Sequence, residues 1–161
     1  MNQGQVLATK ISAADFEHLY VRFAPYVHAV LISKVPPPAV EDLLQDVFSE
    51  AWRKQDQLQS PANFGPWVAA IARHKAADFH RRRLRSVSLD QIPEPQSLPT
   101  EPLLDALRQL PEAYQETLAL RFVEGLTGPE IAELTGLTHG SVRVNLSRGI
   151  QMLRELLGVK L

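Results

Sequence analysis

The chain has 161 residues, 45% of them hydrophobic, a formal net charge of −1 and no cysteine. That length suits one ordinary domain or two small ones, and the apolar share is enough to bury a core without covalent staples. The missing cysteine excludes disulfides, thiolate nucleophiles and cysteine-ligated metals, and the near-balanced charge excludes a simple basic DNA-coating protein.

The N-terminal MNQGQVLATK has no apolar run followed by a cleavage site, and no segment approaches the ~20 apolar residues that span a bilayer. The expectation is a cytoplasmic protein without membrane insertion. An apolar helical segment from about Phe16 to Ile32 is broken by Pro36, Pro37 and Pro38. In Ala39 to Lys54, the residues Val40, Leu43, Leu44, Val47, Phe48 and Ala51 recur at helical spacing on one face, with Asp42, Asp46, Ser49 and Arg53 opposite. A long helix follows from about Phe64 to Leu84, with Pro66 tolerated in its first turn. Its inner face carries Phe64, Trp67, Val68, Ile71 and Phe79, while Arg73, His80 and Arg81 are predicted to point away from the core. Lys75 and Asp78, at i, i+3 spacing near the apolar face, are predicted to form a partly buried structural pair.

The stretch SVSLDQIPEPQSLPTEP lacks helical periodicity and reads as an interdomain linker, on the order of 60 Å long if extended at ~3.3 Å per residue. Beyond it, Leu103 to Leu110 and Glu112 to Glu124 read as helices separated by Pro111 and ended by Gly125. Thr127 with Glu130 forms a capping box for a short helix to Leu134, Gly136 supplies a turn, and Thr138 caps a last helix reaching about Leu157. No internal repeat or strand-like alternation is present, so the predicted class is all α.

The average charge conceals segregation. Residues 1–72 carry −2, 73–85 carry +5, 86–142 carry −7 and 143–161 carry +3. Either basic patch alone is equally well a solvated surface. Two of them, one inside a helix-turn-helix pattern, point to nucleic acid. In that pattern Ala132 is the small residue at the helix crossing, Gly136 the turn and Val142 the branched anchor, with Ile131 and Leu137 as further apolar contacts. Thr135 and Asn145 stand where apolar residues are more usual, and an ordinary helical hairpin remains the alternative. On the last helix Val142, Leu146, Ile150, Leu153 and Leu157 form a core stripe. Ser141, Val144, Ser147 and Arg148 are expected near base edges and Arg143 on phosphate, with Thr138 and His139 beside them. One such helix next to a −7 stretch binds DNA weakly by itself.

The helix-turn-helix suits both sigma factors and response-regulator output domains; the first half separates them. DLLQDVFSEAW (Asp42 to Trp52) resembles the polymerase-binding helix of extracytoplasmic-function sigma factors, and WVAAIARHKAADFHRRR (Trp67 to Arg83) resembles the promoter-reading helix that follows it. LRFVEGLTGPEIAELTGLTHGSVRVNLSRG completes a resemblance covering roughly residues 14–157. It implies a promoter-specificity subunit of bacterial RNA polymerase with a region 2-like domain at 1–85, a flexible linker at 86–102 and a region 4-like domain at 103–161. The first domain would bind the β′ clamp helices and open the −10 element; the second would read the −35 element and touch the β flap. Asp42, Gln45, Asp46, Ser49 and Trp52 would then meet polymerase. The loop Ser60 to Phe64 would meet a flipped base, with Asn63 the base contact and Phe64 beside it, and Arg73, His74, His80, Arg81 and Arg82 would face the strand or its phosphates. The family often carries basic residues where Asn145 and Ile150 stand, which implies a less electrostatic −35 contact here. Gly149 is a poor helix former, by ~1 kcal/mol against alanine.

An anti-sigma factor is an expected partner. The alternative function is an autonomous helix-turn-helix regulator. His18, His28, His74, His80 and His139 show no metal spacing, there is no phosphate-cradling glycine loop, and no nucleophile is paired with a base. The expectation is therefore a non-enzyme, with no catalytic residues, metal or cofactor.

Overall fold

The computed structural model describes residues 10–86 and 102–159, and what it describes is helix, turn and loop without a strand. The predicted linker therefore lies almost wholly outside the described residues.

The N-terminal half is three helices: α1 (Ala13–Ile32), α2 (Pro37–Arg53) and α3 (Phe64–Ser86). Ser12 starts α1 by accepting the Asp15 backbone N–H at 3.1 Å, and Asp15 places a negative charge at the positive end of the helix dipole. Pro25 removes one backbone hydrogen bond, yet α1 continues because the turns after it, Tyr26 to Ile32, are almost entirely buried. The proline break is shorter than predicted. Pro37 and Pro38 are the first helical residues of α2, since a first turn has no use for their missing N–H groups. The α2 face bearing Val40, Leu44, Val47, Phe48 and Ala51 is buried, as its spacing requires. Two 3₁₀ turns, Gln55–Gln57 and Pro61–Asn63, lead into α3. There Val68, Ala69, Ala72 and Ala76 are buried, their small size letting α1 and α2 approach closely.

The C-terminal half is α4 (Pro102–Arg108), α5 (Glu112–Phe122), α6 (Gly128–Thr135) and α7 (His139–Leu157). The capping box at the start of α6 is complete: Glu130 Oε2 accepts from the Thr127 backbone N–H at 2.7 Å and Thr127 Oγ1 accepts from the Glu130 backbone N–H at 3.4 Å. Gly136 ends α6 at φ 77°, a left-handed conformation that only glycine adopts without strain. Thr138 then caps α7 by accepting the Ser141 N–H at 3.1 Å.

The halves are packed together. α5 lies between α1 and α7, and α6 touches both α1 and α3. Five successive residues of α5, Glu116 to Leu120, are buried, so this helix is covered all round. Gly65 marks a close approach between the halves, because a methyl group built on it would lie 2.8 Å from the Leu134 carbonyl oxygen. Gly149 marks another, between α5 and α7: a methyl there would lie 2.9 Å from Leu118 Cδ1. Gly149 is thus present for packing, a reason its helix propensity does not reveal.

Candidate nucleic-acid interface

The last helix offers the clearer face. Val142, Gly149 and Leu153 turn inward and are buried, so the positions rotated away from them are solvent-facing. Thr138, His139, Ser141, Arg143, Val144, Ser147 and Arg148 are all exposed. Thr138 is engaged locally, its hydroxyl donating to Ser141 Oγ at 2.9 Å as well as capping the helix. Val144, 43% exposed, places an apolar side chain among polar ones, an arrangement that suits a thymine methyl beside polar base edges. Asn145 and Ile150 do not belong to this face. Asn145 Nδ2 donates to Thr117 Oγ1 of α5 at 3.3 Å, and Ile150 packs against the core. Asn145 thus helps join α7 to α5 and Ile150 helps close the core, so neither position carries a cation on the exposed face. Thr135, also unusual in the pattern, is buried with its hydroxyl donating to the Ile131 carbonyl at 2.7 Å. Leu157, placed on the core stripe by its spacing, is 38% exposed near the end of α7.

On α2 the residues Asp42, Gln45, Asp46 and Ser49 are exposed and recur at i, i+3, i+4 and i+7, forming one polar, partly acidic ridge. Trp52 sits at the end of this helix, half-buried, its ring edge-on to Phe16 with centroids 5.0 Å apart. Behind the ridge Glu50 ties α2 to α3. Its carboxyl lies 2.8 Å from Lys54 and 2.6 Å from Lys75, and these hydrogen bonds hold its pKa down at about 2. The predicted Lys75–Asp78 pair is therefore corrected. Lys75 reaches across to α2, and Asp78 pairs with Arg81 at 2.7 Å.

The expected single-strand contacts are dispersed. Asn63 is exposed at the end of its 3₁₀ turn. Phe64 is fully buried, its ring 5.3 Å from Phe23, 5.8 Å from Trp67 and 6.1 Å from Phe16, so its placement beside a flipped base is corrected: its apolar surface is spent in the core. His74, Arg81 and Arg82 are exposed. Arg82 lines a cavity of about 400 Å³ between α2 and α3 together with Asp46, Lys75 and Asp78. His80 is exposed, with Nε2 donating to the Lys34 carbonyl at 2.6 Å.

Arg73 is the largest departure. It does not point away from the core or toward solvent. Its Nε and Nη2 donate to the two oxygens of Glu116 on α5 at 2.8 and 2.7 Å, a bidentate pair, and Lys34 reaches the same carboxylate at 2.9 Å. Arg73 Nη2 also lies 3.4 Å from the Tyr26 hydroxyl. Glu116 is 7% exposed. Burial by itself would raise its pKa, but Arg73 and Lys34 outweigh burial and hold it below the ordinary carboxylate value. Burial, followed by the charge on Glu116, raises the Tyr26 phenol. Lys34, Tyr26 and Glu116 carry no signal in the sequence. Their partners lie up to 82 positions away, and an acid such as Glu116, one of two within LPEAYQETLALRF, reads as surface.

Among the described residues no group of histidines and carboxylates could hold a metal ion, and no helix is long and apolar enough to cross a membrane. Residues 19–86 match the family model for sigma-70 region 2, and residues 100–153 match that for sigma-70, region 4. The chain is 36% identical over 155 residues to the RNA polymerase sigma factor CarQ of Myxococcus xanthus, covering 89% of each chain. It is also 36% identical over 135 residues to the ECF RNA polymerase sigma factor ShbA of Streptomyces griseus, covering 73% of this chain and 71% of that one. Among solved structures it resembles the sigma factor RpoE of Bartonella quintana, crystallised with the anti-sigma factor NepR. The TM-score is 0.58 at 27% identity, covering 92% of this chain and all of that one.

Proposed function

The chain belongs to the extracytoplasmic-function sigma factors of bacterial RNA polymerase, and from that membership we propose how its parts divide promoter recognition. As a sigma factor it binds core polymerase and directs it to promoter DNA. Residues 1–85 form the part that grips the β′ clamp helices, through the exposed ridge of Asp42, Gln45, Asp46 and Ser49 with Trp52 at its end. The same part opens the −10 element, with Asn63 meeting an extruded base and His74, His80, Arg81 and Arg82 along the strand. Residues 86–102 connect it to residues 103–161. There Ser141, Val144, Ser147 and Arg148 read the −35 element, with Thr138, His139 and Arg143 beside them and the β flap as a further contact.

The observation that carries this reading is the order of the two matched regions along one chain, each with a polar face exposed on a packed helical scaffold. The chemistry agrees with it. Unstacking a base costs a few kcal/mol, which binding the extruded base recovers, and a helix-turn-helix that is weak alone gains from being tethered to polymerase at high effective concentration. The reaction is polymerase's own, and the chain acts in the cytoplasm where that enzyme works. Because the related RpoE was solved with an anti-sigma factor, we infer an inhibitor of the same kind for this chain.

The test is reconstitution. Purified chain added to bacterial core polymerase is expected to form a stable complex and start transcripts from a defined promoter carrying both elements. Failure to bind core overturns the reading. Salt-sensitive binding of a dimer to a palindromic operator without polymerase would favour an autonomous regulator instead.

A further inference from the structure

Among the described residues the ion pairs that join the halves share one polarity. Arg22, His28, Lys34 and Arg73 of the N-terminal half face Glu133, Glu124, Glu112 and Glu116 of the C-terminal half. The acidic stretch of −7 that repels DNA beside the recognition helix is thus laid against cationic groups of the other half. Glu116 is the centre of this contact, the one acid of the set that is buried and held by two cations at once. No partner of that carboxylate comes from its own half, so separating the halves returns it to water instead of stranding it in a core. Such a contact is reversible and competes with other polyanions.

The packed arrangement also sets a geometric limit. The Gly136 turn of the helix-turn-helix sits at the start of α3: a methyl built on Gly136 would be 3.8 Å from Pro66 Cγ, three residues beyond Asn63. Two DNA elements more than one turn apart, at ~34 Å per turn, require a separation of ~50–60 Å between their readers. The covalent path from Ser86 to Pro102 is long enough for this, on the order of 50 Å at ~3.3 Å per residue. The closed molecule therefore cannot present both readers to one promoter, whereas an opened one can.

We propose that Glu116 is an autoinhibitory latch: seated between Arg73 and Lys34, it holds the helix-turn-helix half against the N-terminal half until the chain opens to engage polymerase and promoter. The latch itself rests on the contacts above, and its inhibitory role rests on the sigma-factor reading. An apparent affinity falls by the fraction of molecules that are competent, so a chain that is mostly closed binds core correspondingly more weakly than an open one.

The chain contains no cysteine, so two introduced ones, Gln57→Cys and Glu155→Cys at exposed positions, can carry a fluorescent donor and acceptor on the full-length protein. At about 50 mM salt one high-transfer population is expected, and a low-transfer fraction should grow at about 500 mM, where the exposed pairs Arg22–Glu133 and Lys34–Glu112 are screened. Glu116→Gln should be in the low-transfer state already at low salt. Arg73→Glu and Lys34→Glu combined with Glu116→Arg, which reverses every charge at the latch, should close the chain again, which shows that a single variant's opening is not misfolding. Glu116→Gln is expected to bind core polymerase about tenfold more tightly than the unaltered chain. An identical transfer distribution in Glu116→Gln and the parent at both salt concentrations overturns the latch. An open Glu116→Gln that binds core no more tightly overturns its inhibitory role. A parent chain that closes as described, with an open Glu116→Gln that also never binds core, strikes the sigma-factor reading and leaves the latch contact standing.

Discussion

Arg148 owes its role to its angle around α7. It lies one position before Gly149, which is buried against Leu118, and it is exposed with Ser141, Val144 and Ser147 on the same side of the helix. A guanidinium there can bond a guanine edge bidentately. Arg148→Ala is expected to cost ~1–3 kcal/mol at the upstream element and to relax base preference at one position, read from holoenzyme binding to a panel of −35 variants. Equal weakening on every variant would make Arg148 a phosphate contact instead. Angular reasoning of this kind is legible in the sequence because helical periodicity is local. It put Val142 and Leu153 inside and Ser141 and Ser147 outside, as the structure has them. It failed at Arg73, read as pointing away from the core, and it left the partner of Asn145 unnamed; their partners, Glu116 and Thr117, lie 43 and 28 positions away. Nothing within one turn of either residue announces those partners.

At the scale of elements, what the sequence disclosed were the boundaries with local chemistry. Thr127 with Glu130, Gly136 and Thr138 place the ends of α6 and the start of α7 because caps and left-handed turns need particular side chains. The burial of α5 on all sides was not legible. Its polar residues Glu116 and Thr117 are satisfied by Lys34 in the turn after α1, by α3 and by α7, so the helix shows no apolar stripe although it lies at the centre of the packing. Gly149 illustrates the same limit. Judged by propensity, Gly149→Ala should stabilise α7 by up to ~1 kcal/mol. The new methyl, however, would lie 2.9 Å from Leu118 Cδ1 and 3.3 Å from Tyr114 Cβ, and Leu118 is fully buried with little room to move. Overpacking of this kind costs ~1–3 kcal/mol, so the substitution is expected to lower stability by about 1 kcal/mol net. Urea unfolding with an unchanged slope and a lower midpoint would show this; a raised midpoint would mean that α5 and α7 part easily.

At the scale of the molecule, closure is linked to protons through His28. Its Nδ1 is hydrogen-bonded to Glu124, which joins α1 to the end of α5. That bond raises the imidazole pKa above its ordinary 6.5; burial works in the other direction, and the charges of Glu124 and of Glu41 on α2 add to the increase. When the halves separate, Glu124 leaves and the pKa relaxes toward the ordinary value, so the closed form binds more protons than the open form. A group whose pKa is raised by an interaction contributes fully below its unperturbed value and loses that contribution as pH rises through the raised one. The His28 contribution to closure is therefore complete below about pH 6.5 and fades above it. Glu116 titrates in the opposite sense and far lower, its depressed pKa leaving it ionised and paired throughout this range. Any change in closure between about pH 6 and pH 8 thus belongs to histidine and not to the latch carboxylate. The high-transfer population of the doubly labelled chain is expected to be larger at pH 6 than at pH 8, and His28→Ala should remove most of that difference while leaving the salt dependence intact. A chain whose closure is the same at both pH values, with His28 titrating at its ordinary value by NMR, would show that Glu124 does not hold the halves together in solution.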